Sequence, residues 1–257
     1  MIEYDSFIYL DVYKTGSSYV YGLLRRLHAG RPQRIDRHAP LTKGRPFFWK
    51  RGKLAFATVR NPWDWYVSMW TYSMQQPNVL FFRNARSVLG AEGARELFDP
   101  DNPRPSFDRW LRSINDPETL GKIMAGHPYT RSTVSAFLGF YSYRFMRVTT
   151  PHPDLFLRRW YIRDMGDAIA WQKRSAIYDT VLKCEGLSTS FADFALENRE
   201  RCGFRPDTER ILARLAPAPR NTSNRALTHY RDYYSDELRQ LVARRDQLVI
   251  DLFDYQF

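Results

Sequence analysis

The sequence is poor in the residues that build disulfide frameworks and metal centres. Only two cysteines, Cys184 and Cys202, occur among its 257 residues, and their spacing fits no metal-ligand pattern. The five histidines are scattered along the chain. We therefore expect neither a disulfide scaffold nor a metal site.

Long apolar runs are also missing. No N-terminal segment has the basic, apolar and small-residue order of a signal peptide, and no apolar run reaches the length that spans a bilayer. From these absences we expect a soluble, cytoplasmic protein without a membrane span.

Acidic residues are outnumbered by basic ones. The 28 Asp and Glu residues face 39 Lys and Arg residues, which gives a net charge of +11. Such an excess favours an anionic ligand, which the charge alone leaves open as a nucleotide, a nucleic acid or an acidic polymer. The hydrophobic content of 44% is ample for a buried core, and we expect one domain over residues 1–257.

The first candidate site is a tight turn between a strand and a helix. The short aromatic and β-branched run Phe7–Leu10 predicts a buried strand. The turn Lys14-Thr15-Gly16-Ser17-Ser18 follows it, at a predicted helix N-terminus where backbone N–H groups and the helix dipole favour an anion. The helix itself is predicted by an apolar face of helical spacing, made of Val20, Leu23, Leu24 and Leu27.

Each residue type in this turn suits phosphate or sulfate. Lys14 supplies a positive charge, Gly16 allows close approach of the backbone, and Thr15, Ser17 and Ser18 add hydroxyl donors. An ordinary helix start capped by serine explains the same residues equally well.

The turn is not the loop Gly-x-x-x-x-Gly-Lys-Ser/Thr of nucleotide triphosphatases. That loop requires glycine at positions 8 and 13, where this chain has Ile8 and Tyr13.

A second motif repeats the design of strand, turn and helix. The run Leu54–Val59 predicts another buried strand, which leads directly into Arg60. Asn61 suits an N-cap, so we expect a helix over Pro62–Met74, with Ser68 nearly two turns past its start.

The remaining pattern alternates strands and helices. We expect a strand over Ala176–Lys183, a helix over Ser188–Asn198 and a final helix capped by Ser235. Residues from about 75 to 171 form a mainly helical insertion, with fragments over Ser106–Ile114 and Asp116–Met124. This order predicts an α/β protein whose parallel sheet carries its sites at the strand ends.

Together the two turns resemble those of sulfotransferases that use 3′-phosphoadenosine-5′-phosphosulfate, PAPS. In that family the first loop holds the 5′-phosphosulfate, and an Arg followed eight residues later by a Ser holds the 3′-phosphate. The resemblance implies a three-layer parallel sheet flanked by helices, with a P-loop-like sulfotransferase fold. It implies PAPS as co-substrate, PAP as product and no metal. The donor-binding residues would be Lys14, Thr15, Gly16, Ser17, Ser18, Arg60 and Ser68.

Other stretches resemble the carbohydrate and bacterial branches of the same family. The end of the chain is similar in its Tyr-rich segment Tyr230–Tyr234, its amphipathic helix Ser235–Arg245 and its tail Phe253–Phe257. The segment Leu182–Leu187 is similar to a strand of the family with Glu and Leu before a helix. A carbohydrate or small molecule is the acceptor that this implies.

Three positions depart from the pattern of the carbohydrate branch. Asp11, Ser17 and Trp65 stand where His, a second Gly and Arg are common. These exchanges leave the subfamily and the acceptor open.

Transfer to a hydroxyl or amine requires a base, and histidine is the side chain best poised near neutral pH. The resemblance implies that His38, in the long loop Ala29–Lys53, is this base and that Lys14 stabilises the leaving oxygen. Asp11 and Asp36 are alternative bases, and His38 also fits an uninvolved loop residue. Three neighbouring aromatic residues suit stacking on an acceptor: Phe47, Phe48 and Trp49.

Two other functions remain open. A nucleotide or small-molecule kinase is the enzymatic alternative, although the required glycines are missing. A nucleic-acid-binding module is the non-enzymatic one, supported by charge and aromatics but by no binding motif. The oligomeric state is not indicated.

Overall fold

The computed structural model describes residues 1–41, 52–76, 80–153, 157, 162–214 and 224–257. The backbone groups into two compact units that interleave along the chain. The sheet unit comprises Met1–Arg60, Arg144–Pro153 and Gln172–Thr222, and the helical unit comprises Asn61–Tyr143, Asp154–Trp171 and Ser223–Phe257. The helical stretch from 75 to 171 is divided between them, and the single domain with an insertion stays a prediction.

The sheet unit is built on a mixed sheet whose described strands are ordered β3-β1-β2-β4-β5. Its centre is parallel, because β2 pairs with β4 and β4 pairs with β5 in the same direction. The strands are β1 (Ile2–Glu3), β2 (Phe7–Leu10), β3 (Arg34–Ile35), β4 (Leu54–Val59) and β5 (Thr180–Lys183).

The expectation of a wholly parallel sheet is wrong at one edge. The strand β1 pairs antiparallel with both β2 and β3. Both added strands are two residues long, too short to show the alternation by which a strand is read from sequence. The α/β class is confirmed as a mixed sheet flanked by helices.

Helices make up most of the rest of the described chain. They are α1 (Ser17–Leu27), α2 (Pro62–Gln75), α3 (Leu80–Leu97), α4 (Pro103–Asn115), α5 (Pro117–Ile123), α6 (Phe140–Thr149), α7 (Met165–Ser175), α8 (Leu187–Glu197), α9 (Arg199–Cys202), α10 (Thr208–Ala213), α11 (Asp236–Arg245) and α12 (Gln247–Phe253). Among these helices, none has both the length and the apolar composition needed to cross a membrane.

The core of the sheet unit joins one face of the sheet to α1 and α8. Phe7, Tyr9 and Phe56 project from β2 and β4 into one cluster of buried residues. The predicted apolar face of α1 and the buried aromatics of α8 complete that cluster. Because each such side chain contributes about 1.5–3 kcal/mol on burial, this packing fixes the ends of β2 and β4.

Several predicted boundaries lie within two residues of the observed ones. The helix α2 begins at the predicted Pro62, and its predicted cap Asn61 accepts hydrogen bonds from the N–H groups of Trp63 and Asp64. Strand β5 is shorter than the predicted Ala176–Lys183. Its first residues leave the ladder because the N–H of Ile177 donates to Thr149 O at 2.9 Å.

A buried carboxylate organises the helical unit. Asp246, between α11 and α12, accepts hydrogen bonds from the Tyr66 hydroxyl and from the N–H of Ser142, each at 2.7 Å. Ser142 lies in the first turn of α6, so the carboxylate sits where a helix dipole favours negative charge. Burial raises the pKa of Asp246, although the hydrogen bonds it accepts oppose the shift.

We predict that Gly139→Ala destabilises the protein by about 1–3 kcal/mol, the usual cost of overpacking. A methyl group there would lie 2.4 Å from Asp246 Oδ2. The control is Gly121→Ala within α5, where an added methyl meets no atom within 4 Å. Because alanine favours helices, Gly121→Ala should gain up to about 1 kcal/mol. Urea unfolding of the two variants measures both free energies, and equal stabilities would refute the prediction.

Candidate functional site

The first turn has the backbone of an anion site. After β2, Lys14 and Gly16 both take left-handed conformations, with φ angles of 63° and 86°. Gly16 is the N-cap of α1, and no described side chain caps that end. The serine-capped helix start that the sequence left open is therefore not what forms. The N–H groups of Ser17 and Ser18 are the ones that this helix start offers to a ligand, because the N–H of Tyr19 donates to Gly16 O at 3.0 Å.

A chain of buried hydroxyls holds this turn against the sheet. The hydroxyl of Thr15 donates to Val12 O at 2.8 Å, so the 2.6 Å contact between Thr15 and Thr58 must carry a hydrogen from Thr58. The 2.8 Å contact between Thr58 and Tyr9 must then carry a hydrogen from Tyr9. Because Val12 O can only accept, it determines which hydroxyl is the donor in each hydrogen bond of the chain.

The hydroxyls of Thr15 and Ser17 hold the turn in shape. Ser17 Oγ also donates to Val12 O, at 2.9 Å, and both side chains are buried. Since each hydroxyl has one hydrogen, neither has another to give to an anion. The exposed hydroxyl of Ser18 and the backbone N–H groups are the donors that remain.

The segment after β5 packs against the same turn. A methyl group added to Gly16 would lie 2.5 Å from Leu187 Cδ2 and 3.6 Å from Cys184 Sγ. Gly16 is therefore required twice, by its positive φ and by the close approach of Leu187. This contact brings the predicted segment Leu182–Leu187 to the first turn.

Arg60 reaches the first turn from the neighbouring strand. Leu10 of β2 is in register with Ala57 of β4, so the two parallel strands end at the same edge of the sheet. Arg60 follows β4, is half-buried, and donates from its guanidinium to Lys14 O at 3.3 Å. The two predicted donor motifs are joined by this bond.

Ser68 belongs to the helical unit, so its predicted pairing with Arg60 stays a prediction. It is 2% exposed on α2. Trp65 on the same helix is buried and stacks on Tyr141, with ring centroids 4.6 Å apart. An aromatic core residue thus occupies the position where the family often has Arg.

Arg225 ends the basic loop that follows residue 218. It forms an ion pair with Asp64 at 2.7 Å, in the first turn of α2. The preceding residues, 220–223, and the aromatic residues Phe47, Phe48 and Trp49 lie outside the described part of the chain.

His38 is held against Asp11. Its Nδ1 atom lies 3.3 Å from the carbonyl oxygen of Asp11 and 3.2 Å from Asp11 Oδ1. Arg37 Nε donates to Asp11 Oδ2. Burial raises the pKa of Asp11, but its interactions with His38, Ser17 and Arg37 outweigh the burial and lower the pKa to about 2. A fully buried carboxylate of such low pKa is a poor base, which argues against Asp11 in that role. Asp36, the other alternative base, is paired with Arg34 at 2.5 Å.

Both predicted catalytic residues have unusual backbone conformations. Among described residues other than glycine, positive φ angles occur at Lys14, His38, His152 and Asp254. His38 has a φ of 58°. Such conformations cost on the order of 1–3 kcal/mol and concentrate at functional sites.

The ring of Tyr13 contacts both the His38 ring and the guanidinium of Arg144. The His38 ring meets the Tyr13 ring edge-on with centroids 4.9 Å apart, and Arg144 Cζ lies 4.8 Å from the centroid of Tyr13. Three residues of this site were not predicted from the sequence: Arg37, Thr58 and Arg144. Thr58 could have been noticed as the one polar residue in an apolar strand. No sequence pattern indicates Arg144, because it reaches Tyr13 through tertiary packing alone.

A cleft in the helical unit is a weaker candidate. Its lining includes Ile114, Leu120 and Arg245. The guanidinium of Arg245 is already bonded to Ala136 O at 2.6 Å and to Ser135 O at 2.7 Å. The guanidinium of Arg245 therefore stabilises the fold by bonding to these main-chain carbonyls.

Metal and redox sites are not indicated in the described chain. No three or more His, Cys, Asp and Glu side chains of the described residues are grouped so as to hold a metal ion. Neither Cys184 nor Cys202 is in a disulfide, and burial raises the pKa of Cys202 to about 12.

Comparison with family models, curated proteins and solved structures found no match to this chain.

We predict that Gly16→Ala destabilises the protein by at least about 1 kcal/mol, from the left-handed backbone alone. The overlap with Leu187 adds to this cost. The matched control on α1 is Gly22→Ala, where an added methyl meets nothing within 4 Å and helix propensity predicts a gain of up to about 1 kcal/mol. Thermal and urea unfolding test both variants. A Gly16→Ala protein as stable as the wild type would contradict the constraint on this turn.

Proposed function

We propose that this protein is a PAPS-dependent sulfotransferase that transfers a sulfuryl group to a hydroxyl or amine of a carbohydrate or small molecule. The observation that carries the proposal is the bond from Arg60 to Lys14 O, at the shared edge of two parallel strands. It unites the turn that suits a phosphosulfate with the Arg that suits a second phosphate. A P-loop-like sulfotransferase fold and a cytoplasmic location belong to the same proposal.

The donor would be held mainly by backbone and by cations. Gly16 and the start of α1 supply N–H groups to the 5′-phosphate, and Ser18 supplies a hydroxyl. Thr15 and Ser17 act through their own N–H groups and by keeping the turn in shape. Arg60 would hold the 3′-phosphate, and the part that the sequence predicts for Ser68 stays a prediction.

In the transfer, His38 takes the proton from the acceptor hydroxyl or amine as that atom bonds to sulfur. The bond between sulfur and the bridging oxygen of the 5′-phosphate breaks at the same time, and its electron pair leaves with PAP. Lys14 stabilises the charge that develops on this leaving oxygen. As in phosphoryl transfer, positioning and charge stabilisation supply most of the catalysis.

We predict that the wild-type protein binds PAP and that Arg60→Ala weakens this binding about 10- to 100-fold, as expected for loss of charge-assisted hydrogen bonds. The control is Arg26→Ala, which removes an exposed cation that lies more than two turns past Ser17, the first residue of α1, and should bind PAP normally. Titration calorimetry measures the affinities, with ATP and ADP as competitors.

Different outcomes point to different functions. Equal PAP affinity in Arg60→Ala and Arg26→Ala would mean that Arg60 contributes no more to PAP binding than an exposed cation elsewhere on the protein. A clear preference for ATP would favour a kinase. Salt-dependent binding of an oligonucleotide, with no competition from PAP, would favour a nucleic-acid module.

We predict that Lys14→Ala lowers sulfuryl transfer about 10²- to 10³-fold, as loss of one charge-stabilising group does elsewhere. His38→Ala should lower turnover about 10²- to 10⁴-fold and leave PAP affinity nearly unchanged. Transfer of radiolabelled sulfate from PAPS to a panel of glycans and phenols measures both. Wild-type turnover in Lys14→Ala would refute the mechanism, and weaker PAP binding alone in His38→Ala would refute the assignment of the base.

A further inference from the structure

The contacts of His38 determine which of its nitrogens carries hydrogen. Nδ1 faces two oxygens of Asp11, the carbonyl at 3.3 Å and Oδ1 at 3.2 Å. Both oxygens can only accept when the carboxylate is ionised, so the neutral ring must keep its hydrogen on Nδ1. The lone pair is then on Nε2, at the opposite edge of a ring that is 26% exposed.

We infer that Asp11 is a positioning residue that fixes the tautomer and orientation of His38, so that Nε2 receives the acceptor proton. This inference rests on the proposed function, because it assigns Asp11 a part in the same transfer. Asp11 acts through His38 and need not touch the acceptor. Its carboxylate would also stabilise the imidazolium that forms when the proton arrives.

Asp11 is suited to this part by its own surroundings. It is fully buried at the end of β2, and Arg37 holds its second oxygen, Oδ2. An ionised side chain is therefore present at neutral pH, consistent with its lowered pKa. The other charged and titratable groups around the pair are Tyr13 with Arg144 beside the ring, and Tyr9, the Met1 ammonium and Asp36 around Asp11.

The backbone of His38 adds an independent observation. The ring reaches Asp11 from a residue with a φ of 58°, a conformation that is uncommon outside glycine, although histidine is among the residues that tolerate it. The contacts to the backbone and side chain of Asp11 hold the ring in place. Loss of the carboxylate would therefore loosen the placement of the ring, whereas the main-chain carbonyl of Asp11 would still accept a hydrogen from Nδ1.

The first test needs no variant. The ¹⁵N spectrum of the wild-type imidazoles, with the His38 signals assigned by their absence in His38→Ala, reports which nitrogen is protonated in the neutral ring. We expect hydrogen on Nδ1 and a bare Nε2. A neutral His38 with its hydrogen on Nε2 would overturn the inference, whatever the activity of the protein.

The second test uses Asp11→Asn, which keeps the shape of the side chain and removes its charge. We expect turnover to fall about 10-fold or more, within the loss expected for His38→Ala, while PAP affinity stays within about twofold. In a His38→Ala background, Asp11→Asn should cause no further loss, because its effect passes through His38.

The matched control is Asp5→Asn. Asp5 lies just before β2 and is exposed, whereas Asp11 follows β2. Its substitution changes the net charge by the same amount as Asp11→Asn. It should leave turnover unchanged. Wild-type turnover in Asp11→Asn, or a full additional loss in the His38→Ala background, would overturn the inference.

The two proposals fail in different ways. If the wild-type protein binds no PAP, the proposed function fails, and with it the transfer role of Asp11. If PAP binds and sulfate is transferred but the neutral ring carries hydrogen on Nε2, only the inference about Asp11 fails. Should Asp11→Asn not fold, the wild-type spectrum decides alone.

Discussion

The candidate site depends on the parallel pairing of β2 with β4. Because Leu10 and Ala57 are in register, the loops that follow the two strands begin at the same edge of the sheet. That pairing allows Arg60 to bond to Lys14 O, and it sets Thr58 beside Tyr9 and Thr15. Both faces of these strands are buried, so hydrophobic packing holds the register on which the polar contacts rest.

The polar contacts of the site form two layers of support. A chain of hydroxyls from Tyr9 to Val12 O fixes the first turn, and the pair of Asp11 and His38 fixes the adjoining loop. Every member of the hydroxyl chain is buried and has a partner. In a low dielectric such a network is rigid when it is complete, which would suit the positioning of an anion at the proposed site.

The sequence was most informative where a local pattern determined the structure. The strands Phe7–Leu10 and Leu54–Val59 and the cap Asn61 lie where they were predicted, because apolar runs and a capping side chain act locally. The antiparallel edge was missed because two-residue strands carry no pattern. Arg144 could not be foreseen, since it reaches Tyr13 only through tertiary packing. The tautomer of His38 likewise depends on a contact between residues 27 positions apart.

The left-handed residues Lys14 and Gly16 have a consequence for the character of the first turn. At the proposed donor site, part of the attraction for an anion would come from main-chain N–H groups, which every amino acid except proline carries, and not from any side chain. Removing the ammonium of Lys14 would leave that part in place. Inorganic phosphate or sulfate would then compete with the proposed donor, so the affinity measured for the donor would depend on the anions of the buffer.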